Sequence, residues 1–267
     1  MKQISILGCG WLGLPLAKSL LEKGFSVKGS TTSLDKIPVL KDAGIEAFQI
    51  EVSEDKIKGE IDSFLATSEI LIIDIPPKLR SVTSENFVKK IQNLIPCIEK
   101  SKIKKVVFIS STSVYADDNS IAAESTKPNP NSESGKQLLQ AENLLQNNAN
   151  FKTTVVRFGG LIGEERHPVH FLAGRKDIEN PEAPINLIHQ TDCIGIIKTI
   201  IEQNSFGETF NAVAPFHPTR KDYYIQKALE LNLPLPEFDE TKISVGKTIL
   251  SNKLENTLGY KFKKMTL

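Results

Sequence analysis

The sequence predicts an α/β fold, in which a doubly wound parallel sheet is followed by a smaller C-terminal region. Three observations lead to this class. Short apolar runs alternate with helical patterns over residues 1–158, a glycine-rich turn joins the first run to the first helical pattern, and the alternation loosens after Phe158. Parallel strands are connected by helices that cross the faces of the sheet, and for this reason the alternation predicts a parallel sheet.

Each element of the sheet follows from a local pattern. Short apolar runs bounded by polar or turn residues are typical of buried strands, and leucines or isoleucines at helical spacing are typical of amphipathic helices. Gly24 ends the first helix. The predicted strands lie at 4–7, 25–30, 46–50, 69–75, 104–110 and 152–158, and the predicted helices at 12–23, 85–101 and 134–147.

The C-terminal part is less regular. Turn formers and mixed charge over 159–184 predict a loop, and residues 117–135 form a second long polar loop of the kind that is often functional. Segments within 185–213 are predicted to return in part to the main sheet. The chain therefore divides into a sheet domain at 1–158 and a smaller region at 159–267, whose tail is interrupted by prolines.

The bulk composition excludes several classes of protein. Of the 267 residues, 40% are hydrophobic and 24% charged, which is typical of a globular protein, and the formal net charge is +1. This balance favours neither nucleic acid nor a membrane surface as a partner. Cys9, Cys97 and Cys193 are too few and too scattered for a disulfide framework or a metal site, and they fit a reducing cytoplasm. Glycines interrupt the apolar start, which does not fit an export signal.

A G-x-G-x-x-G motif directly follows the first predicted strand and opens the first predicted helix. One glycine permits the tight turn, one lets the backbone approach a pyrophosphate, and one allows close packing of helix and strand. The free N–H groups and partial positive charge of the helix start then favour phosphate. The motif spans residues 8–13 and predicts a Rossmann-type dinucleotide site whose contact residues are Gly8, Gly10, Trp11, Leu12 and Gly13.

The end of the second strand indicates which dinucleotide binds. NAD sites usually place an acidic residue there, which binds the ribose 2′-hydroxyl. This chain has Thr31, Thr32 and Ser33 instead, and no carboxylate before Asp35. Hydroxyl and N–H groups can accommodate a 2′-phosphate, and we therefore predict NADP in preference to NAD. The same residues can also start a helix, with Ser33 as its N-cap.

Further motifs follow in a fixed order: "SSTSVY" (110–115), "NLIHQTDCIG" (186–195), "ETFNAVA" (208–214) and "SNKLENTLGYKF" (251–262). With them the chain resembles the extended short-chain dehydrogenase/reductase family, the NAD(P)-dependent epimerase/dehydratase group, along nearly its whole length. Within that family it is most similar to an atypical bacterial "WLG" subgroup.

The resemblance implies roles for particular residues. Ser111 stands at the position of the family's catalytic serine and Lys136 at that of its catalytic lysine, which also binds the nicotinamide ribose. A small-molecule substrate is implied, and a homodimer through the helices at 85–101 and 134–147 would follow the family's habit. The further cofactor contacts that the resemblance implies are Ile75, Pro76, Pro77, Ser110, Phe158 and Gly159.

The main departure from the family lies in its Tyr-x-x-x-Lys signature, because Ser132 replaces the tyrosine. An aliphatic hydroxyl is far less acidic than a phenol and cannot take over its proton transfer. Two hypotheses follow. Either another group, His167 or His170 in "RHPVHF", donates the proton of an oxidoreductase or epimerase-type reaction, or the protein is a non-catalytic NADP(H) sensor.

Other polar residues have simpler interpretations. Tyr115 is expected to be structural, and Arg157 either contacts a ligand or forms an ion pair. Asp192 is predicted to cap the helix that follows it, and His189 to be a buried, hydrogen-bonded side chain. Two arginines of the substrate-facing region that could bind a phosphate or carboxylate are Arg175 and Arg220.

Overall fold

A computed structural model describes residues 2–77 and 85–265. The strands are β1 (Gln3–Leu7), β2 (Ser26–Thr31), β3 (Glu46–Gln49), β4 (Glu51–Val52), β5 (Ile57–Lys58), β6 (Ile70–Ile73), β7 (Lys105–Ser111), β8 (Ile121–Ala122), β9 (Lys152–Phe158), β10 (Gly160–Ile162), β11 (Leu187–His189), β12 (Thr209–Ala212) and β13 (Thr248–Ile249). The helices are α1 (Gly13–Leu21), α2 (Ile37–Asp42), α3 (Ile61–Leu65), α4 (Phe87–Lys100), α5 (Glu133–Gln146), α6 (Val169–Leu172), α7 (Gln190–Glu202), α8 (Arg220–Glu230) and α9 (Asn252–Leu258).

The main sheet has seven strands in the order β12-β9-β7-β6-β1-β2-β3, and every pairing in it is parallel. Strand order reverses between β1 and β6, because the chain runs outward from β1 to β3 and then returns to the other side of β1. In open α/β sheets, ligands bind in the crevice at such a switch point, outside the carboxyl ends of the strands. The predicted doubly wound α/β class is confirmed.

The central strands are apolar along their whole length because helices cover both faces of the sheet. All four residues of β6 are buried, and so are most residues of β7 and β9. One core lies between the sheet and helices α1, α7 and α9, and a second lies between the other face and helices α3, α4 and α5. These two cores fix the carboxyl ends of β1, β6, β7 and β9 along one edge.

A third, smaller core belongs to the C-terminal region. It joins α6 and α8 through buried residues that include Val169, Leu172 and Ala228. β10 and β11 form a separate parallel pair, and β12 returns to the edge of the main sheet.

Two features of this region differ from the sequence-based expectation. The predicted loop at 159–184 contains β10 and α6, and the proline-interrupted tail contains the eleven-residue helix α8. α8 buries little more than Tyr223, Tyr224 and Ala228, and its apolar stripe is too narrow to stand out in the sequence. Within residues 2–77 and 85–265, none of the helices combines the length and the apolar character that crossing a bilayer requires.

Candidate functional site

The glycine motif lies at the switch point of the sheet, between the end of β1 and the residues that follow β6. A Cβ atom on Gly8, where φ is +109°, would collide with the carbonyl oxygen of Asp74, and one on Gly13 would collide with the carbonyl of Gly8. Both glycines are therefore required by the protein's own packing. Gly10 differs, because a Cβ there would meet no described atom within 4 Å. Open space above Gly10 is what the close approach of a diphosphate needs.

Sequence reasoning missed Asp74, which directly follows β6 beside this turn. Its carboxyl accepts a hydrogen bond from the N–H of Gly13, the first residue of α1. Burial raises the pKa of the Asp74 carboxyl to about 7, against the lowering effect of that hydrogen bond. A carboxyl after an apolar strand is visible in the sequence, but its contact with the start of α1 depends on the pairing of β1 with β6.

The end of β2 forms one wall of a narrow cleft beside the glycine turn. The N–H of Gly8 donates to the hydroxyl of Ser30 at 3.0 Å, and the hydroxyl of Thr31 accepts from the N–H of Ser33 at 3.2 Å. Ser33 begins a short 3-10 turn without forming a side-chain cap, while the Thr32 side chain is exposed. The predicted Thr31–Ser33 segment thus presents hydroxyl and amide groups and no carboxylate.

The same cleft brings together residues that lie far apart in the sequence. Of the predicted contacts, Gly8, Thr31, Thr32, Ile75 and Pro76 line it, and Pro77 is the last described residue before the gap at 78–84. Lining residues that were not predicted are Leu7, Ser30, Ile50, Val52 and Lys90. Ile50 and Val52 reach the cleft because β3 pairs with β2, a neighbour that no local sequence signal specifies.

Trp11 and Leu12 have opposite environments within the glycine motif. The Leu12 side chain is 3% exposed and belongs to the first core, which leaves only its backbone for a ligand. Trp11 is partly buried and contacts the C-terminal region: Gln190 Nε2 donates to its carbonyl oxygen at 2.6 Å. The Arg166 guanidinium carbon lies 4.8 Å from the Trp11 ring centroid.

The predicted catalytic corner forms where β7 ends and α5 begins. The Ser111 hydroxyl accepts from the N–H of Ser113 at 3.2 Å, and a Cβ on Gly135 would collide with the Ser113 carbonyl oxygen. This tight packing brings the start of α5, with Lys136, against the residues that follow Ser111. The Lys136 side chain is exposed. Ser110 points elsewhere, because its buried hydroxyl donates to Glu142 at 2.6 Å.

Ser132, which replaces the family tyrosine, is the N-cap of α5. Its hydroxyl accepts from the N–H of Gly135 at 3.1 Å, and its backbone is extended. The hydroxyl therefore caps the start of the helix. It is also too weak an acid for the family's proton transfer.

His167 is half-buried and packs against Tyr223 of the third core. Its Nε2 is 2.8 Å from the hydroxyl of Tyr223, and its Nδ1 accepts from the N–H of Val169 at 3.1 Å. Burial, with a smaller effect of Lys227, lowers the pKa of the His167 imidazole to about 4. The ring is neutral near pH 7, with its proton on Nε2 facing Tyr223.

A buried polar network links β7, α5, β9 and β12. The Arg157 guanidinium donates to both oxygens of Glu142, at distances down to 2.6 Å, and to the hydroxyl of Tyr115 at 2.7 Å. Tyr115 in turn donates to Asn211 at 3.0 Å. Of the two interpretations of Arg157, the contacts favour the ion pair, and they support the structural interpretation of Tyr115.

The prediction that Asp192 caps a helix is wrong. α7 begins two residues earlier, and its N-cap is His189, whose Nδ1 accepts from the N–H of Thr191 at 3.1 Å. Asp192 is fully buried inside the first turn, where it accepts from the hydroxyl of Tyr260 and from the N–H groups of two C-terminal lysines. Its function is to anchor the tail, a contact between residues too distant for a local sequence pattern to reveal. His189 is hydrogen-bonded as predicted but only half-buried.

The remaining predicted residues are dispersed. Phe158 is buried in the first core, and Gly159 packs against the carbonyl oxygen of Asn186. Arg175 and His170 are exposed, and Arg220 donates to the Glu179 carbonyl at 2.9 Å. No described contact joins these three side chains to the glycine turn.

Comparison with known proteins agrees with this geometry. A sequence profile described as NAD(P)H-binding matches residues 8–186. Protein YeeZ of Escherichia coli K12 is 33% identical over 266 residues, which is 98% of this chain and 96% of YeeZ.

Solved structures share the fold. A short-chain dehydrogenase/reductase superfamily protein from Agrobacterium tumefaciens with bound NAD has a TM-score of 0.79 at 17% identity, covering 98% of this chain and 92% of that one. UDP-glucuronic acid 4-epimerase from Bacillus cereus, in complex with NAD, has a TM-score of 0.81 at 16% identity, covering 98% and 91%. With the glycine cradle at the switch point of a Rossmann-like sheet, these findings show that the chain belongs to the NAD(P)H-binding Rossmann family, with structural neighbours of the short-chain dehydrogenase/reductase and epimerase type.

Proposed function

We propose that the protein holds NADP(H) in the cleft at the glycine turn and catalyses oxidoreductase or epimerase-type chemistry on a small carbonyl or sugar-nucleotide-like substrate. The observation that carries the proposal is the environment of Gly10. Gly8 and Gly13 are explained by packing within the protein, whereas the Cβ-free side of Gly10 faces open space at the start of α1. A ligand that approaches the backbone there would account for a glycine that the protein's own packing does not require.

The preference for NADP rests on the end of β2. Thr32 and Ser33 offer hydroxyl groups, and that of Ser33 forms no helix-capping hydrogen bond. The segment carries no carboxylate to repel a 2′-phosphate. Lys90 lines the same cleft and adds a cation, although Glu85 pairs with it.

The chemistry would take place at the corner formed by Ser111 and Lys136. When bound, the nicotinamide ring supplies or accepts the hydride. The exposed Lys136 ammonium can bind ribose hydroxyls and stabilise developing negative charge, and the Ser111 hydroxyl can donate to a substrate carbonyl. His167 stays a candidate site residue, but as a neutral ring it would act through a hydrogen bond from its Nε2–H and not as an imidazolium acid.

A second candidate function, a non-catalytic NADP(H) sensor, is favoured by Ser132. That position carries a helix cap where the family carries its acid–base group. The sensor hypothesis keeps the dinucleotide site and removes hydride transfer.

Titration with NADPH and NADH, followed through the single tryptophan, Trp11, tests binding first. Tighter binding of NADPH is expected; equal affinities would contradict the preference, and no binding of either would overturn the function. A panel of carbonyl compounds and sugar nucleotides then tests turnover. Loss of turnover in Lys136→Met and His167→Ala, but not in Ser132→Ala, supports the enzyme, while binding without turnover across the panel supports the sensor.

We also propose a homodimer, a cytoplasmic location and membership of the "WLG" subgroup. α4 and α5 pack side by side and leave partly exposed apolar residues, among them Val88, Ile95 and Leu144, along their shared groove. Leu144→Glu is expected to convert a dimer into a monomer in light-scattering measurements, and a monomeric wild type would contradict the proposal. The three cysteines are free thiols, as a reducing compartment would keep them.

A further inference from the structure

The loop between β10 and α6 closes over the glycine turn. Gly163 and Arg166 exchange two backbone hydrogen bonds, of 2.9 and 3.0 Å, which makes the four residues a tight turn. A Cβ on Gly163 would lie 2.8 Å from Cζ2 of Trp11, which shows how closely the turn packs on the indole ring. Together these contacts hold the Arg166 guanidinium over the ring, 4.8 Å from its centroid.

Trp11 is itself held in place from a second direction. The hydrogen bond from Gln190 Nε2 to the Trp11 carbonyl fixes the backbone at the middle of the glycine motif. Two segments of the C-terminal region therefore fix the turn that should hold the diphosphate, and one of them carries a cation.

The charge of Arg166 has no local explanation. Within the described ranges, 2–77 and 85–265, its exposed side chain forms no salt bridge, whereas Arg157 is neutralised by Glu142. In the same ranges, the N–H groups of Trp11 and Leu12 have no hydrogen-bond acceptor. An unpaired guanidinium over the Trp11 ring and free N–H groups at the positive end of α1 together create a region complementary to an anion.

We propose that Arg166 is a dinucleotide-binding residue, which contacts the diphosphate of the cofactor together with the first turn of α1 and uses Trp11 as its platform. Stacking on the indole leaves the edge of the guanidinium free for a bidentate contact with phosphate oxygens. This inference rests on the proposed function, since it names a further residue of the same site.

The test measures dissociation constants of NADPH and ADP-ribose by calorimetry, and that of adenosine by ligand-observed NMR, for wild type and Arg166→Gln. NADPH and ADP-ribose are expected to bind about tenfold to a hundredfold more weakly to Arg166→Gln, because a charge-assisted hydrogen bond is lost. The dissociation constant of adenosine, which has no phosphate, should change less than about twofold. Arg166→Lys keeps the positive charge but loses the forked guanidinium, and its affinity for NADPH and ADP-ribose should lie between those of wild type and Arg166→Gln.

Lys102→Gln removes the same charge from an exposed position just before β7, at the opposite end of the sheet, and is expected to bind like wild type. Unchanged binding of ADP-ribose by Arg166→Gln would overturn the inference while leaving the proposed function intact. Equal weakening of all three ligands would also overturn it, because that result indicates a purely structural role in holding the turn. Failure of wild type to bind NADPH would instead overturn the proposed function.

Discussion

The three glycines of the motif carry different physical requirements, although they look alike in the sequence. Gly8 and Gly13 make room for the carbonyl groups of Asp74 and Gly8, whereas the Cβ-free side of Gly10 faces open space. The spacing predicted all three as cofactor contacts, and only the packing separates the ligand requirement from the folding requirement.

We expect Gly10→Ala to fold normally and to lose at least about tenfold in affinity for NADPH, because its Cβ would obstruct the approach of the diphosphate. Gly13→Ala, the matched control, should lose about 1–3 kcal/mol of unfolding free energy through its collision with the Gly8 carbonyl. Urea unfolding and NADPH titration measure the two effects. Wild-type affinity in Gly10→Ala would contradict the assignment.

Asp74 predicts a pH dependence of stability. Burial raises its pKa in the folded state to about 7, above the value of about 3.9 in an unfolded chain, so the folded protein binds the proton more tightly. Its contribution is fully present below about pH 4 and is lost as the pH rises through about 7. Relative to Asp74→Asn, wild type should lose on the order of 4 kcal/mol of unfolding free energy over that interval. Chemical denaturation at a series of pH values measures this difference. The same pH dependence of unfolding free energy in wild type and Asp74→Asn would contradict the burial of this carboxyl.

Among the secondary-structure elements, α5 shows how one helix start can serve either stability or chemistry. The family signature has its acid–base tyrosine at position 132, and in this structure the serine at that position caps the first turn of the helix. Ser132→Ala is expected to lose about 1 kcal/mol of unfolding free energy, since one N–H of the first turn loses its acceptor. Ser132→Asp can still cap the helix and should retain most of the wild-type unfolding free energy. Both variants should bind NADPH like wild type. An unchanged unfolding midpoint in Ser132→Ala would contradict the capping role.

The contact between α5 and β9 depends on the ion pair of Glu142 and Arg157. Removing one partner leaves the other charge buried, and Glu142→Ala should therefore lose about 3 kcal/mol or more of unfolding free energy. The double variant Glu142→Leu with Arg157→Met should recover part of that loss. The exposed pair of Lys23 and Glu202 provides the control, because Glu202→Ala should change little. Equal losses in Glu142→Ala and Glu202→Ala would contradict the burial of the first pair.

For the molecule as a whole, cofactor binding should stabilise the fold, because a site built from the sheet and the C-terminal region exists only in the folded chain and NADPH would bind that state alone. At a free NADPH concentration of about 100 times its dissociation constant, linkage predicts about 2.7 kcal/mol of added unfolding free energy. Thermal unfolding with and without NADPH measures it, and Gly10→Ala should show a smaller shift at the same concentration. An equal shift in Gly10→Ala would indicate that NADPH binds elsewhere.

The sequence alone was enough to predict the α/β class, six of the seven strands of the main sheet, both long helices at 85–101 and 134–147, and the position of the glycine turn. These features depend on periodicity and on local backbone requirements, which neighbouring residues express directly. The structure confirms the β9 strand with the same limits and the two long helices within two residues.

The tertiary structure decided the features that need contacts between distant segments. The proximity of Asp74 to Gly13 follows from strand order. The hydrogen bonds by which Asp192 anchors the tail span about 70 residues. The position of Arg166 over Trp11 brings the C-terminal region against the glycine turn. Each of these side chains has an ordinary local sequence around it. Their environments arise only when the sheet is assembled, because burial and electrostatic pairing are properties of neighbours in space rather than of neighbours along the chain.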